Sequence, residues 1–203
     1  GKALTSDENS PVEIEWSYIG TTVSGEEVKT DPYKIQPASD GSYSIDINHE
    51  QDGEYTYTLT AAPDSELSTV ISRVVVVDTT DPVVEFSTLT NDEIIESSEF
   101  TLKGNIEDAN GIEKVEYQLM AGSTQILIDG TQGTGWKEIP KAKSSFNLTL
   151  SNLKENITYT IKIRATDVAG NVSEDEQYKC NFTIDLSNPV ASIDEPKPEE
   201  NSS

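Results

Sequence analysis

The chain is poor in the residues that carry most protein chemistry. Its 203 residues include one cysteine, one histidine and one methionine. A single cysteine, Cys180, excludes an intrachain disulfide. With His49 as the sole imidazole there is no Ser-His-Asp or Cys-His set and no zinc-ligand cluster. No phosphate-binding glycine loop is present. Apolar residues are scarce too, at 34%, and no run of them is long enough to form a membrane-spanning helix. No signal peptide opens the chain, so any export signal or anchor is expected outside this sequence. Basic residues are few: 14 Lys and Arg against 37 Asp and Glu give a net charge of −23. Nucleic acid or an anionic membrane would be repelled, so neither is expected as a partner. That charge has two readings. It forms a solvated acidic surface, or some of its carboxylates gather around a hard cation such as calcium, the one candidate cofactor.

What is present is a repeat. Ile14-Glu15-Trp16-Ser17-Tyr18 returns as Val115-Glu116-Tyr117-Gln118-Leu119, and Ser42-Tyr43-Ser44-Ile45-Asp46-Ile47 as Ser145-Phe146-Asn147-Leu148-Thr149-Leu150. Tyr57-Thr58-Leu59 returns as Tyr159-Thr160-Ile161, Ala62-Pro63-Asp64 as Ala165-Thr166-Asp167, and Asp78-Thr79-Thr80-Asp81-Pro82 as Asp185-Leu186-Ser187-Asn188-Pro189. The offsets are 101, 103, 102, 103 and 107. Five colinear matches whose spacing drifts only across loops mark an array.

The second copy reads as seven short strands. Val83–Phe86 opens it and 126–128 is a short apolar run. Apolar residues alternate with polar ones over 100–104, 115–119, 146–150, 159–165 and 178–184. No stretch has helical period. Seven alternating strands in about 105 residues predict an all-β fold, a two-sheet antiparallel sandwich. The first copy opens at its equivalent of the third strand, after eleven residues. Its first two strands are therefore absent, unless residues 1–5 are the tail of the second. Val190-Ala191-Ser192-Ile193 reads as the opening of a third copy. The expected organisation is a repeat over 1–80, a complete repeat over 81–186, and a linker or third repeat over 187–203.

The run Leu153-Lys154-Glu155-Asn156-Ile157-Thr158-Tyr159, with Ile161, Ile163, Ala165-Thr166-Asp167 and Ala169-Gly170-Asn171, resembles the end of a bacterial Ig-like repeat and is similar to fibronectin type III domains. Asp78-Thr79-Thr80-Asp81-Pro82 resembles the linkers of long adhesins and cell-wall stalks, and Asp108-Ala109-Asn110-Gly111-Ile112 the loop between second and third strands. The first copy departs from the pattern at Ala62-Pro63-Asp64-Ser65-Glu66, where the glycine turn is replaced. The resemblance implies tandem sandwiches without enzymatic activity, displayed outside a bacterial cell. They would serve as a spacer or adhesin stalk, with neighbouring repeats of the same polypeptide as partners. The alternatives are a module that binds a host protein or glycan, or an accessory domain beside a secreted hydrolase. It also implies that Tyr159 caps the loop entering the sixth strand, with Tyr57 as its equivalent.

Within that frame the linker Asp78–Asp81 approaches Glu107, Asp108 and Asp167, a candidate calcium site. The other reading is a turn of solvated acids, with Asp81 fixing the turn before Pro82. Trp136, after Gly133-Thr134-Gly135, is the candidate binding residue, since an exposed loop indole can stack on a sugar; edge packing is its structural alternative. Trp16 and Cys180 share the phase of the apolar faces and are expected in the core, Cys180 as an inert thiol. Four Asn-x-Ser/Thr triplets, at Asn147, Asn156, Asn171 and Asn181, fit the glycosylation pattern, and a bacterial origin would leave them bare.

Overall fold

The computed structural model describes residues 1–4, 10–49, 51–62, 66, 68–173 and 178–188. Among these there are strands and turns and no helix. The expected third-copy strand Val190–Ile193 and the turn at Pro63–Ser65 lie outside the described residues. The chain forms two compact units. One comprises Gly1–Pro82 with residues 108–110 and 167–171, and the other holds the remainder from Val83 onward.

Among the described residues the second unit has nine strands: β6 (Val83–Phe86), β7 (Glu93–Ile95), β8 (Phe100–Glu107), β9 (Ile112–Ala121), β10 (Thr124–Ile126), β11 (Lys137–Glu138), β12 (Ser145–Leu150), β13 (Thr158–Asp167) and β14 (Lys179–Ile184). One sheet runs β12-β8-β6 and the other β10-β9-β13-β14-β7, with β11 on the far half of β9. Strands β12 and β8 pair antiparallel from Ser145 opposite Asn105 to Leu150 opposite Phe100, so Leu102 and Leu148 face the same side. Period-two alternation carries Val84, Leu102, Ile106, Phe146, Leu148 and Leu150 inward from the first sheet. Val115, Tyr117, Leu119, Tyr159, Ile161, Ile163, Phe182 and Ile184 come inward from the second. All are buried, as the sequence pattern predicts. This partition, first, second and fifth strands against third, sixth and seventh, is that of an immunoglobulin-like sandwich.

Two strands have no counterpart in the periodicity. The three-residue β7 and two-residue β11 are too short to show alternation, and only their ladders define them. Strand β7 pairs parallel with β14, Phe182 opposite Glu93 and Ile184 opposite Ile95.

The first unit contains β1 (Ile14–Thr22), β2 (Glu27–Lys29), β3 (Tyr33–Ile35), β4 (Gly53–Ala61) and β5 (Thr69–Val77). They make one sheet, ordered β2-β1-β4-β5, with β3 on the other half of β1. The β1–β4 register sets Trp16 opposite Leu59, Tyr18 opposite Tyr57 and Gly20 opposite Tyr55, giving one aromatic face. Gly20 serves that face directly, because a Cβ there would lie 2.4 Å from the Tyr55 ring. Tyr43, Ile45 and Ile47 lie over it and, with Trp16, Tyr57 and Leu59, line a cleft of about 340 Å³.

Residues 1–3 of the first unit pair as residues 104–106 of the second do. Ala3 N donates to Gly41 O at 2.8 Å, as Ile106 N donates to Ser144 O at 2.9 Å. Lys2 bridges Ser42 antiparallel, as Asn105 pairs with Ser145. A Cβ on Gly1 would strike the Tyr43 ring at 2.4 Å, and one on Gly104 the Phe146 ring at 2.3 Å. Gly1 thus stands in the same local pairing as Gly104. Ser42–Ile47, expected as a strand by its match to β12, joins a ladder only at Ser42. Tyr43 N still donates to Gly1 O at 3.0 Å and Gly1 N to Tyr43 O at 2.9 Å, while residues 44–47 join no ladder among the described residues.

Candidate functional site

The sequence points to five acids, and the structure brings three of them together. Ligand oxygens of Asp78, Asp108 and Asp167 lie within 4.8 Å of one another. Asp167 is fully buried, and the other two are half-buried. Asp81 is exposed, and Glu107 is exposed at the end of β8, opposite Val83. Both stand outside that group.

Local turn chemistry positions each carboxylate. Asp167 ends β13, and its Oδ1 accepts the N–H groups of Gly170 at 2.6 Å and Asn171 at 2.8 Å. Its Oδ2 accepts Asn171 Nδ2 at 2.7 Å. The turn closes through Asp167 N donating to Asn171 O at 3.1 Å, and Gly170 supplies the positive φ of 101° that it requires. Asp78 Oδ1 accepts Thr80 N at 3.1 Å and its Oδ2 accepts Asn110 Nδ2 at 2.8 Å, while Asp108 Oδ1 accepts Asn110 N at 2.8 Å. Asn171 Nδ2 also donates to Asp78 O at 3.1 Å. Asn110 therefore links the Asp78 and Asp108 carboxylates, and Asn171 links the Asp167 carboxylate to the Asp78 backbone carbonyl. Sequence reasoning picked out the carboxylates and passed over these amides, whose role depends on three distant loops meeting.

Three carboxylates offer up to six oxygens. That donor set fits a hard divalent cation such as calcium, which takes six to eight oxygens. The amide donors stabilise the same negative charge without a cation. The linker is tied down separately: Asp52 Oδ1 accepts Thr79 N at 2.9 Å and Thr79 Oγ1 at 2.7 Å, and its Oδ2 accepts Thr80 Oγ1 at 2.7 Å. The Thr80 and Thr79 hydroxyls hold the Asp52 carboxyl below its ordinary value.

Trp136 is half-buried, with the Arg164 guanidinium over its ring at 4.4 Å from the centroid. Arg164 Nε also binds Glu116 Oε2 at 2.8 Å, and Lys114 reaches the same oxygen at 3.2 Å. Burial raises the Glu116 pKa, but the Arg164 and Lys114 partners outweigh it and leave the group below its ordinary value. Gln125 fixes the approach to the indole, accepting Gly135 N at 3.0 Å and donating to Gly135 O at 2.5 Å. The indole is therefore built into a charged network on β9 and β13, with one ring face occupied.

The core residues lie where the alternation puts them. Cys180 is 2% exposed, and burial first, then the Glu93 and Asp92 charges, push its thiol up to about 11. The Tyr159 hydroxyl accepts Lys154 N at 2.6 Å and donates to Lys154 O at 3.3 Å, the bond back to upstream backbone that caps this corner. Tyr57 departs from that role. Its hydroxyl contacts His49 Nε2, and in the first unit it is Tyr55 that reaches back to backbone, donating to Gln51 O at 2.9 Å. The lone histidine sits in an aromatic cluster, stacked on Tyr55 at 3.7 Å and edge-on to Tyr18 at 4.9 Å. Burial there lowers the His49 pKa.

No family model matches the chain, and no curated protein does. Among solved structures it is similar to a two-domain fibronectin type III segment of chicken tenascin, at 10% identity over 90% of this chain and 98% of that one, with a TM-score of 0.35. It is also similar to Dpr2 Ig1–Ig2, solved in complex with DIP-Theta Ig1–Ig3, at 9% identity over 86% and 85% with a TM-score of 0.32. A chimeric titin Z1Z2 tandem matches at 16% identity over 86% and 83%, with a TM-score of 0.29. These scores are low, and the sandwich assignment rests on the strand order given above.

Proposed function

We propose that the chain is a run of non-catalytic spacer repeats from a bacterial cell-surface or secreted protein, an adhesin or stalk. The observation that supports this is repetition of one device in one polypeptide. Gly1, Ala3, Gly41 and Tyr43 reproduce the local pairing of Gly104, Ile106, Ser144 and Phe146. Antiparallel ladders such as β8–β12 resist extension because their hydrogen bonds share the load, and a charge of −23 keeps neighbouring copies apart. Single-molecule stretching tests the spacer role. The second unit should open in one cooperative event that releases about 30 nm of chain, given a reach of roughly 3.4 Å per residue. Gradual extension without a force peak would remove the mechanical reading. If the repeats instead bind a glycan, Trp136→Ala should abolish binding on a glycan array while leaving the force peak unchanged.

A second reading follows from the three converging carboxylates: calcium held by Asp78, Asp108 and Asp167. Millimolar calcium should then raise the melting temperature, chelator should lower it, and Asp167→Asn should cancel the difference. A melt indifferent to both leaves these acids as turn-formers.

A further inference from the structure

Two amides serve the three-carboxylate group, and they differ in chemical durability. Asn171 is half-buried, its Nδ2 is held by both Asp167 Oδ2 and Asp78 O, and the residue after it is Val172. Asn110 is exposed, its Nδ2 donates to Asp78 Oδ2 at 2.8 Å, and the residue after it is Gly111. No other asparagine in the sequence precedes a glycine. A side chain on the following residue hinders its backbone nitrogen from folding back onto the amide, and a stiff β-branched one hinders it most. Glycine offers no such hindrance.

The loop cannot easily dispense with that glycine. Gly111 has a φ of 93°, in the left-handed region that residues with a side chain avoid. A Cβ there would meet nothing within 4 Å, so conformation rather than space selects the glycine. It follows an Asx turn in which Asp108 Oδ1 accepts Asn110 N at 2.8 Å. The turn that presents Asp108 and Asn110 to Asp78 thus calls for the very residue that makes Asn110 labile.

We propose that Asn110–Gly111 is a site of spontaneous deamidation, and that the change turns the Asn110 link to Asp78 into a repulsion. Gly111 N attacks Asn110 Cγ, and the Cγ–Nδ2 bond breaks. The proton of the attacking nitrogen leaves with the departing group as ammonia, and a succinimide ring closes. Water then opens either imide carbonyl, giving aspartate or isoaspartate. No electrons are exchanged, and water is the one reagent consumed. Either product replaces the donor facing Asp78 Oδ2 with a carboxylate. Asp78 loses a hydrogen bond and gains a like charge at close range, in a group whose oxygens already lie within 4.8 Å of one another.

Peptide mapping by mass spectrometry tests the modification on the whole chain, kept folded in mildly alkaline buffer. The peptide carrying Asn110 should gain the mass of an amide-to-acid exchange at least about tenfold faster than that carrying Asn156, which is also exposed but precedes Ile157. Asn110→Gln should abolish the gain, because the longer side chain closes its ring poorly. Thermal melting reads the consequence, with chelator present so that no divalent cation bridges the acids. Asn110→Asp should melt at least about 3 °C below the parent. That deficit should shrink by about half or more in molar salt, as a charge effect must. Asn110→Gln, which keeps a neutral donor, should melt above Asn110→Asp. The proposal is overturned if the folded chain keeps Asn110 intact while the urea-unfolded chain deamidates it, because the fold then shields the site. Asn156 keeping pace with Asn110 overturns it too. So does an Asn110→Asp melt equal to that of the parent, or a deficit that salt leaves untouched.

Discussion

Replacing Tyr159 by phenylalanine removes one oxygen from a ring that is 2% exposed and stacked on Phe182 at 5.2 Å. The ring and its packing stay, so no cavity large enough to matter is opened. What goes is the hydroxyl that accepts Lys154 N at 2.6 Å and donates to Lys154 O at 3.3 Å. The shorter bond is worth about 1 kcal/mol net, and a part-buried N–H left without an acceptor adds about 1 kcal/mol or more. The carbonyl, with its longer contact, adds little. The total is a loss of about 1.5–3 kcal/mol, which for a unit of this size lowers its melting temperature by at least about 6 °C. A Trp16→Phe background leaves Trp136 as the sole indole, so urea unfolding followed by its fluorescence reports on the second unit alone. The m-value should be unchanged, since the surface exposed on unfolding is the same. Tyr55→Phe, which loses only a donor to Gln51 O, should cost its own unit less. A Tyr159→Phe loss below about 0.5 kcal/mol would show that water replaces the hydroxyl and would refute the corner as a source of stability.

Gly104→Ala drives a Cβ to 2.3 Å from the Phe146 ring and 2.4 Å from Glu85 O, so overpacking should cost about 1–3 kcal/mol in urea unfolding. The Cys180 thiol, buried and raised to about 11, should ignore a disulfide reagent at pH 8 and react only once denaturant opens the core. Arg164→Ala removes both the cation over Trp136 and a partner of Glu116. It should shift Trp136 emission to the red and cost about 1–2 kcal/mol. The Asp52 carboxyl is held below its ordinary value, so its contribution is fully present above the unfolded value near 4. It is lost as pH falls through the folded value; an acid titration of thermal stability should therefore be shallower in Asp52→Asn, which starts less stable at pH 7.

Much of this protein is written in local pattern. Phe146, Leu148 and Leu150 alternate with polar residues and all three are buried, because a strand with one wet face must repeat every second residue. Cys180 and Tyr159 fall in the same phase and follow the same rule. Short segments carry no such signature. Nothing in Glu93-Ile94-Ile95 declares a strand, and β7 exists only because β14 offers it an open side. Ser42–Ile47 shows the converse: its pattern matches β12, but a pattern without a paired neighbour does not make a ladder. The aromatic pairing in the first unit was equally invisible, since Tyr55 and Tyr57 compete for one role and only the position of His49 separates them.

The acids divide in the same way. Composition alone established an excess of negative charge, which repels nucleic acid and anionic membranes. Which carboxylates meet was left to the fold: Asp78, Asp108 and Asp167 come together from segments far apart in sequence, while Glu107, next to Asp108, and Asp81, in the same turn as Asp78, do not join them. Alternation is a property of neighbours and survives in the sequence. Convergence is a property of chain crossings, and it exists only once the sheets have closed.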